Sequence, residues 1–219
     1  MPFGAIFDLD GTLVTFRFDV EGTRKALLDE LTARGFETAG LGLSTPTQQI
    51  IDAARSQAVT GKPEAFEEFR VRVYAILDGF ELDSVASANV LPGTRESLDF
   101  LKAKGVRLAV LTNSGRKPAI ETLKRAGLLD RFEFVLTRDD TETMKPRPEG
   151  LLKATMMLGL PADLVYYVGD SPYDIAAAKS AGIKVVSVAT GNYSVERLRE
   201  EGADHVISSI TELHDVFGL

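Results

Sequence analysis

Hydrophobic and polar positions along the chain change rhythm twice. Residues 5–7 form an apolar run that Asp8 and Gly11 bring to an end, which predicts a buried strand running into a loop. From Leu91 onward, short apolar runs alternate with helical patterns. Residues 94–104 read as a helix ended by Gly105, 107–111 as a strand, and 117–126 as a helix closed by Gly127. Further strands are predicted at 132–136, 164–168, 184–188 and 205–207, and further helices at 148–158, 172–181, 194–201 and 210–217. Strands this apolar, alternating with helices, imply an α/β fold. A parallel sheet would be covered by helices on both faces and joined by right-handed crossovers.

The stretch from Val14 to about Ala88 breaks the alternation. It holds helical patterns near 20–34, 45–59 and 63–82 and no convincing strand. The expected organisation is therefore a Rossmann-like α/β core, residues 1–14 and 89–219, interrupted by an all-helical insertion over 15–88.

At 219 residues the chain can bury a substantial core, and 44% hydrophobic with 26% charged residues is ordinary for a globular protein. A net charge of -7 argues against a nucleic-acid binder held by phosphate contacts. It leaves room for a small anionic substrate, since a metal and a few cations dominate a pocket locally. With no Cys, disulfides and thiolate chemistry are excluded. The first strand begins almost at once without a signal-peptide pattern, and no apolar stretch is long enough to span a bilayer. A soluble cytoplasmic protein, monomeric and without membrane partners, is the expectation.

Candidate chemistry gathers where the strands end. Asp8 and Asp10 follow the first strand, and two acids held so close repel each other unless a cation neutralises them. A hard divalent ion such as Mg2+ suits their oxygens. Asp-Gly is also a common turn dipeptide, so the pair alone decides nothing. The remaining strands end in Thr112-Asn113-Ser114-Gly115, in Lys145-Pro146 and in Gly169-Asp170-Ser171-Pro172-Tyr173-Asp174. In a parallel sheet all of these fall on one edge. His205 and His214 lie away from every cluster, and Arg55, Lys62, Arg70 and Arg72 read as a solvated helix face of the insertion.

Asp8-Leu9-Asp10-Gly11-Thr12, Thr112-Asn113, Lys145-Pro146 and the 169–174 run occur in an order that resembles the haloacid dehalogenase superfamily, within it the phosphoglycolate-phosphatase-like phosphohydrolases. The insertion is similar to that family's helical type-1 cap in position and character. The resemblance implies a Mg2+-dependent phosphatase acting on small phosphorylated metabolites. Asp8 would be the nucleophile, forming an aspartyl-phosphate, and Asp10 the general acid/base. Asp8, the Asp10 main-chain carbonyl and Asp170 would hold the metal. Gly11, Thr12, Thr112, Asn113 and Lys145 would bind the phosphoryl group, and Asp174 would stand behind the metal, on its water or on Lys145. Ser171 before Pro172 reads as a helix cap. Arg17 and Phe18 depart from the Asp-Ser pair common in related phosphatases, which leaves the substrate open, with phosphoglycolate the first candidate. Three alternatives stand beside this reading: a phosphomutase of the β-phosphoglucomutase type, a phosphonate hydrolase using Lys25 or Lys62, and a catalytically silent phosphate-binding module.

Overall fold

The computed structural model describes residues 3–15, 18–59 and 63–219, so Arg17 and Lys62 lie outside the described residues. The chain forms two compact units, Met1–Phe16 with Ser87–Leu219, and Arg17–Ala86. In chain order, β1 (Gly4–Phe7) is followed by the helices of the second unit, α1 (Val20–Ala33), α2 (Thr47–Val59) and α3 (Pro63–Val85). The first unit then resumes with α4 (Thr94–Ala103), β2 (Arg107–Leu111), α5 (Arg116–Ala126) and β3 (Phe134–Leu136). It continues through α6 (Glu149–Leu158), β4 (Val165–Gly169) and α7 (Pro172–Ala181). The chain ends with β5 (Lys184–Val188), α8 (Val195–Glu200), β6 (His205–Ile207) and α9 (Leu213–Phe217).

All six strands pair in parallel, in the order β3-β2-β1-β4-β5-β6. Side chains alternate between the sheet's two faces, as a strand requires. Ala5, Phe7, Leu108 and Val110 pack with Leu98, Leu101, Leu123 and Leu213, contributed by α4, α5 and α9. Ile6, Ala109, Leu111 and Val185 pack with Leu151, Leu158, Ile175 and Leu198, contributed by α6, α7 and α8. Burial on both faces is why the strands read as unbroken apolar runs.

The insertion leaves and returns through adjoining segments. Val14 and Val90 bridge antiparallel, the Thr15 amide donates to the Asn89 carbonyl at 2.7 Å, and the Leu91 amide donates to the Leu13 carbonyl at 3.0 Å. The second unit has a core of its own around Leu27, Leu31, Ile50, Phe69 and Val73. Asp19 caps α1 by accepting from the Gly22 amide at 2.8 Å. Arg55 stacks over Phe66, Arg70 pairs with Glu67 and Arg72 is exposed. Lys25 is exposed as well.

Several predicted elements shift, among them the helix predicted from 45, which begins at Thr47. The strand predicted from 132 begins at Phe134, because Leu129–Arg131 closes into a 3-10 turn that takes the Phe132 amide at 3.3 Å. The helix predicted over 210–217 is broken: Ser209 and Glu212 cap each other around the 3-10 turn Ile210–Glu212, and only Leu213–Phe217 is α-helical. The helix predicted to end at Leu82 runs on to Val85. No helix among the described residues is long and apolar enough to cross a membrane.

Candidate active site

β1 lies between β2 and β4, where successive crossovers leave the sheet in opposite directions, and ligands of open α/β sheets bind at the carboxyl end of such a point. Asp8 is the first residue past β1, its amide held by the Val168 carbonyl at 2.8 Å. Gly11, at φ +84°, then folds the chain back: its amide donates to Val14 O at 2.8 Å, and the Leu13 amide reaches Leu9 O at 2.9 Å. Leu9 and Leu13 are buried in the core, so Asp8 and Asp10 are presented from a turn that is anchored on both sides.

Lys145 arrives from the loop after β3. Asn113 holds that loop with both ends of its side-chain amide, donating to Lys145 O at 3.0 Å and accepting from Lys145 N at 2.9 Å. The Lys145–Pro146 peptide is cis. The buried ammonium spends its three hydrogens on Asp8 Oδ1, Asp174 Oδ1 and the Tyr167 hydroxyl, each at 2.7 Å. Tyr167 in turn donates to Asp174 Oδ1 at 2.9 Å. The other oxygen of Asp174 accepts from the Ser171 amide at 3.0 Å and from its hydroxyl at 2.6 Å, in the capping box that opens α7.

One oxygen each of Asp8, Asp170 and Asp174 lie within 4.8 Å of one another. Both Asp174 oxygens are taken by protein donors, so this carboxylate serves as the anchor of Lys145 rather than as a free ligand. Asp8 and Asp170 are different. Burial raises the Asp8 carboxyl to about 7, opposed by Lys145 and aided by the Asp174 charge. Burial, then Asp174 and Asp8, raise Asp170 to about 8. Lys145 is held above its ordinary value: burial alone would lower it, but the Asp174 and Asp8 charges outweigh that. One cation shared among three buried carboxylates leaves net negative charge, which a divalent cation neutralises. The surroundings fit this donor set. A Cβ on Gly11 would stand 2.4 Å from Asp170 Oδ2 and one on Gly191 1.7 Å from it, so both glycines keep the space around that carboxylate open.

These shifts carry a sign. From about pH 4 to about pH 8 the metal-free folded state keeps protons that the unfolded state has released, so its stability falls as pH rises through that window. In EDTA the thermal midpoint should be lower at pH about 8 than at pH about 6, and a divalent cation should raise it most at the higher pH. A midpoint that rises over this range in EDTA would remove the metal reading.

The other predicted residues are placed as follows. Asp10 accepts from the Ser114 hydroxyl at 2.6 Å, and burial raises its carboxyl while that bond lowers it. The Thr112 hydroxyl accepts from the Ser114 amide at 3.0 Å. The Gly11 carbonyl accepts from Thr190 Oγ1 at 2.6 Å. Thr12 is buried, and among the described residues its hydroxyl has no hydrogen-bond partner. His205 and His214 are exposed and outside the cluster. Residues not singled out from the sequence also belong here: Tyr167, Ser114, Thr190, Gly191 and the buried Arg138, which donates to the Asn113 carbonyl at 3.0 Å. Thr190 and Gly191 stand past the end of β5, on the same edge, and that position was the signal available for them.

Residues 4–182 match the haloacid dehalogenase-like hydrolase model. The chain is 35% identical to a phosphoglycolate phosphatase of Rhodospirillum rubrum, covering 100% of this chain and 92% of that protein. It is 34% identical to a pyrophosphatase of Halalkalibacterium halodurans, covering 98% and 96%. In fold it resembles a hydrolase from Pseudomonas syringae, with a TM-score of 0.70, 24% identity and coverage of 99% and 98%. The family match takes in β1 through α7 and every residue of the cluster around Lys145, and the chain belongs to the haloacid dehalogenase-like hydrolases, an enzyme of that family.

Proposed function

We propose that this enzyme is a Mg2+-dependent phosphatase that hydrolyses small phosphomonoesters through an aspartyl-phosphate on Asp8. The observation that carries the reading is the Asp8 carboxylate, fixed by Lys145 beside Asp170 at the switch point of the sheet. When bound, Mg2+ held by Asp8, Asp170 and the Asp10 main-chain carbonyl would neutralise the charge between carboxylate and phosphoryl group.

The chain's own residues do the rest. Lys145 holds Asp8 Oδ1, leaving Oδ2 to attack phosphorus. Asp10 protonates the leaving oxygen and later takes a proton from the water that cleaves the acyl phosphate. The Asn113 amide and the Thr112 hydroxyl bind phosphoryl oxygens, with Lys145 offsetting their charge, whereas the Gly11 and Thr12 amides expected in that role already donate to Val14 O and Leu9 O and instead shape the turn. Asp174 keeps Lys145 in place.

Likeness to a phosphoglycolate phosphatase and to a pyrophosphatase supports phosphoglycolate as the first substrate to try and inorganic pyrophosphate as the second. We place the enzyme in the cytoplasm, as a monomer. The test is phosphate release from p-nitrophenyl phosphate, phosphoglycolate, sugar phosphates and pyrophosphate, with Mg2+ or with EDTA. Mg2+-dependent release is the expected result, and the best substrate names the class. Absence of release from every compound would return the mutase and the silent binding module to the front.

A further inference from the structure

We propose that Ser114 is a positioning residue for the acid step, fixing which oxygen of Asp10 carries the transferable proton. The inference rests on the acid/base role given to Asp10 above. Ser114 Oγ donates to Asp10 Oδ2 at 2.6 Å, a separation typical of a hydroxyl bound to a carboxylate. An oxygen that accepts this hydrogen is a poor place for a second one, which leaves Oδ1, to which no hydrogen bond is described, as the oxygen to carry the acid's proton.

Ser114 can impose that choice because its own backbone is held on both sides. Its amide donates to Thr112 Oγ1 at 3.0 Å, and its carbonyl accepts the Arg138 amide at 3.3 Å. The preceding residue is tied by its side chain to both polar groups of the Lys145 main chain and by its carbonyl to the Arg138 guanidinium. Ser114 is itself buried. A rigid loop thus presents one hydroxyl to one carboxylate oxygen. Asp10 starts a tight turn and, among the hydrogen bonds described for its carboxylate, this is the contact that sets its direction.

The step balances without other reagents. An Asp8 oxygen bonds to phosphorus while the ester P–O bond breaks, and that electron pair goes to the leaving oxygen, which takes the proton from Asp10 Oδ1. Asp8 is left as an acyl phosphate, Asp10 as a carboxylate held by Ser114, and the leaving group as an alcohol. An alkoxide needs that proton. A nitrophenolate does not, because it is already stable as an anion.

The experiment follows leaving-group release in single turnovers, with enzyme in excess and Mg2+ present. It compares p-nitrophenyl phosphate with the most reactive alkyl phosphate of the panel. Asp10→Asn should slow alkyl release far more than nitrophenolate release. Ser114→Ala should do the same to a smaller degree, with alkyl release falling about 10- to 100-fold further than nitrophenolate release. Ser114→Thr, which keeps the hydroxyl, should recover most of the loss. Equal loss on both substrates, or none, in Ser114→Ala while Asp10→Asn discriminates would overturn this inference alone. If Asp10→Asn treats both substrates alike, the acid assignment itself is wrong, and the role of Ser114 goes with it.

Discussion

Asp8→Asn should abolish turnover, by on the order of 10^4-fold or more, while making the metal-free protein more stable. The two effects have one origin. Asp8 is buried, its ionised form is disfavoured by desolvation and by the Asp174 charge, and Lys145 only partly offsets this. The amide keeps the shape and abandons the charge, so a cost that the folded chain carries near neutral pH disappears. It also lacks the nucleophilic oxygen, and Asp174 cannot replace it, since its carboxylate is fully occupied by Lys145, Tyr167 and Ser171. Denaturant unfolding in EDTA at pH about 8, beside turnover with Mg2+, reads both effects. A variant within tenfold of wild-type turnover would end the nucleophile assignment. One that lost activity and stability together would show damage to the fold instead.

The second large effect is on stability. Lys145→Met leaves Asp8 and Asp174 facing each other, buried, without the cation that bridges them. Removing one partner of a buried ion pair typically costs about 3–5 kcal/mol. For a chain of this size that corresponds to a fall in the thermal midpoint of very roughly 6–20 °C, at about 2–4 °C per kcal/mol. Adding Asp174→Asn should recover part of the loss, because it removes one of the stranded charges. A midpoint unchanged by Lys145→Met would mean that the buried triad contributes nothing net to folding.

Local pattern carried the architecture far. β2, β5, β6 and α7 lie where the apolar runs and the Ser-Pro start place them, since burial on both faces and a helix cap are written in adjacent residues. The motif acids and Lys145 were legible for a similar reason: each directly follows, or lies in the loop after, a strand whose end must fall on one edge. Tyr167 was not legible. It is embedded in the apolar run Val165–Gly169, where Tyr166 packs with Phe3 and Phe217 on one face while Tyr167 points to the other and reaches Lys145. Which tyrosine faces the lysine depends on sheet register, set by strands more than a hundred residues apart in sequence. The same holds for Ser114 and Gly191: a serine in a polar loop and a glycine in a turn look ordinary until Asp10 and Asp170 are placed against them. The break in the last helix had a local cause, the Ser209–Glu212 cap, overlooked beneath an apolar pattern that continued through it.

The pairing of Val14 with Val90, braced by Thr15 with Asn89 and by Leu13 with Leu91, has a consequence for the insertion. To the sheet, everything between those two segments is one loop whose ends are already fastened. Closing a loop becomes only slowly harder as it lengthens, by about 0.6 kcal/mol for each doubling. The intervening chain can therefore be shortened, enlarged or exchanged wholesale while Asp8 and Asp10 stay where the core puts them. One inserted module could thus stand in for another without any change to the turn that presents the two acids.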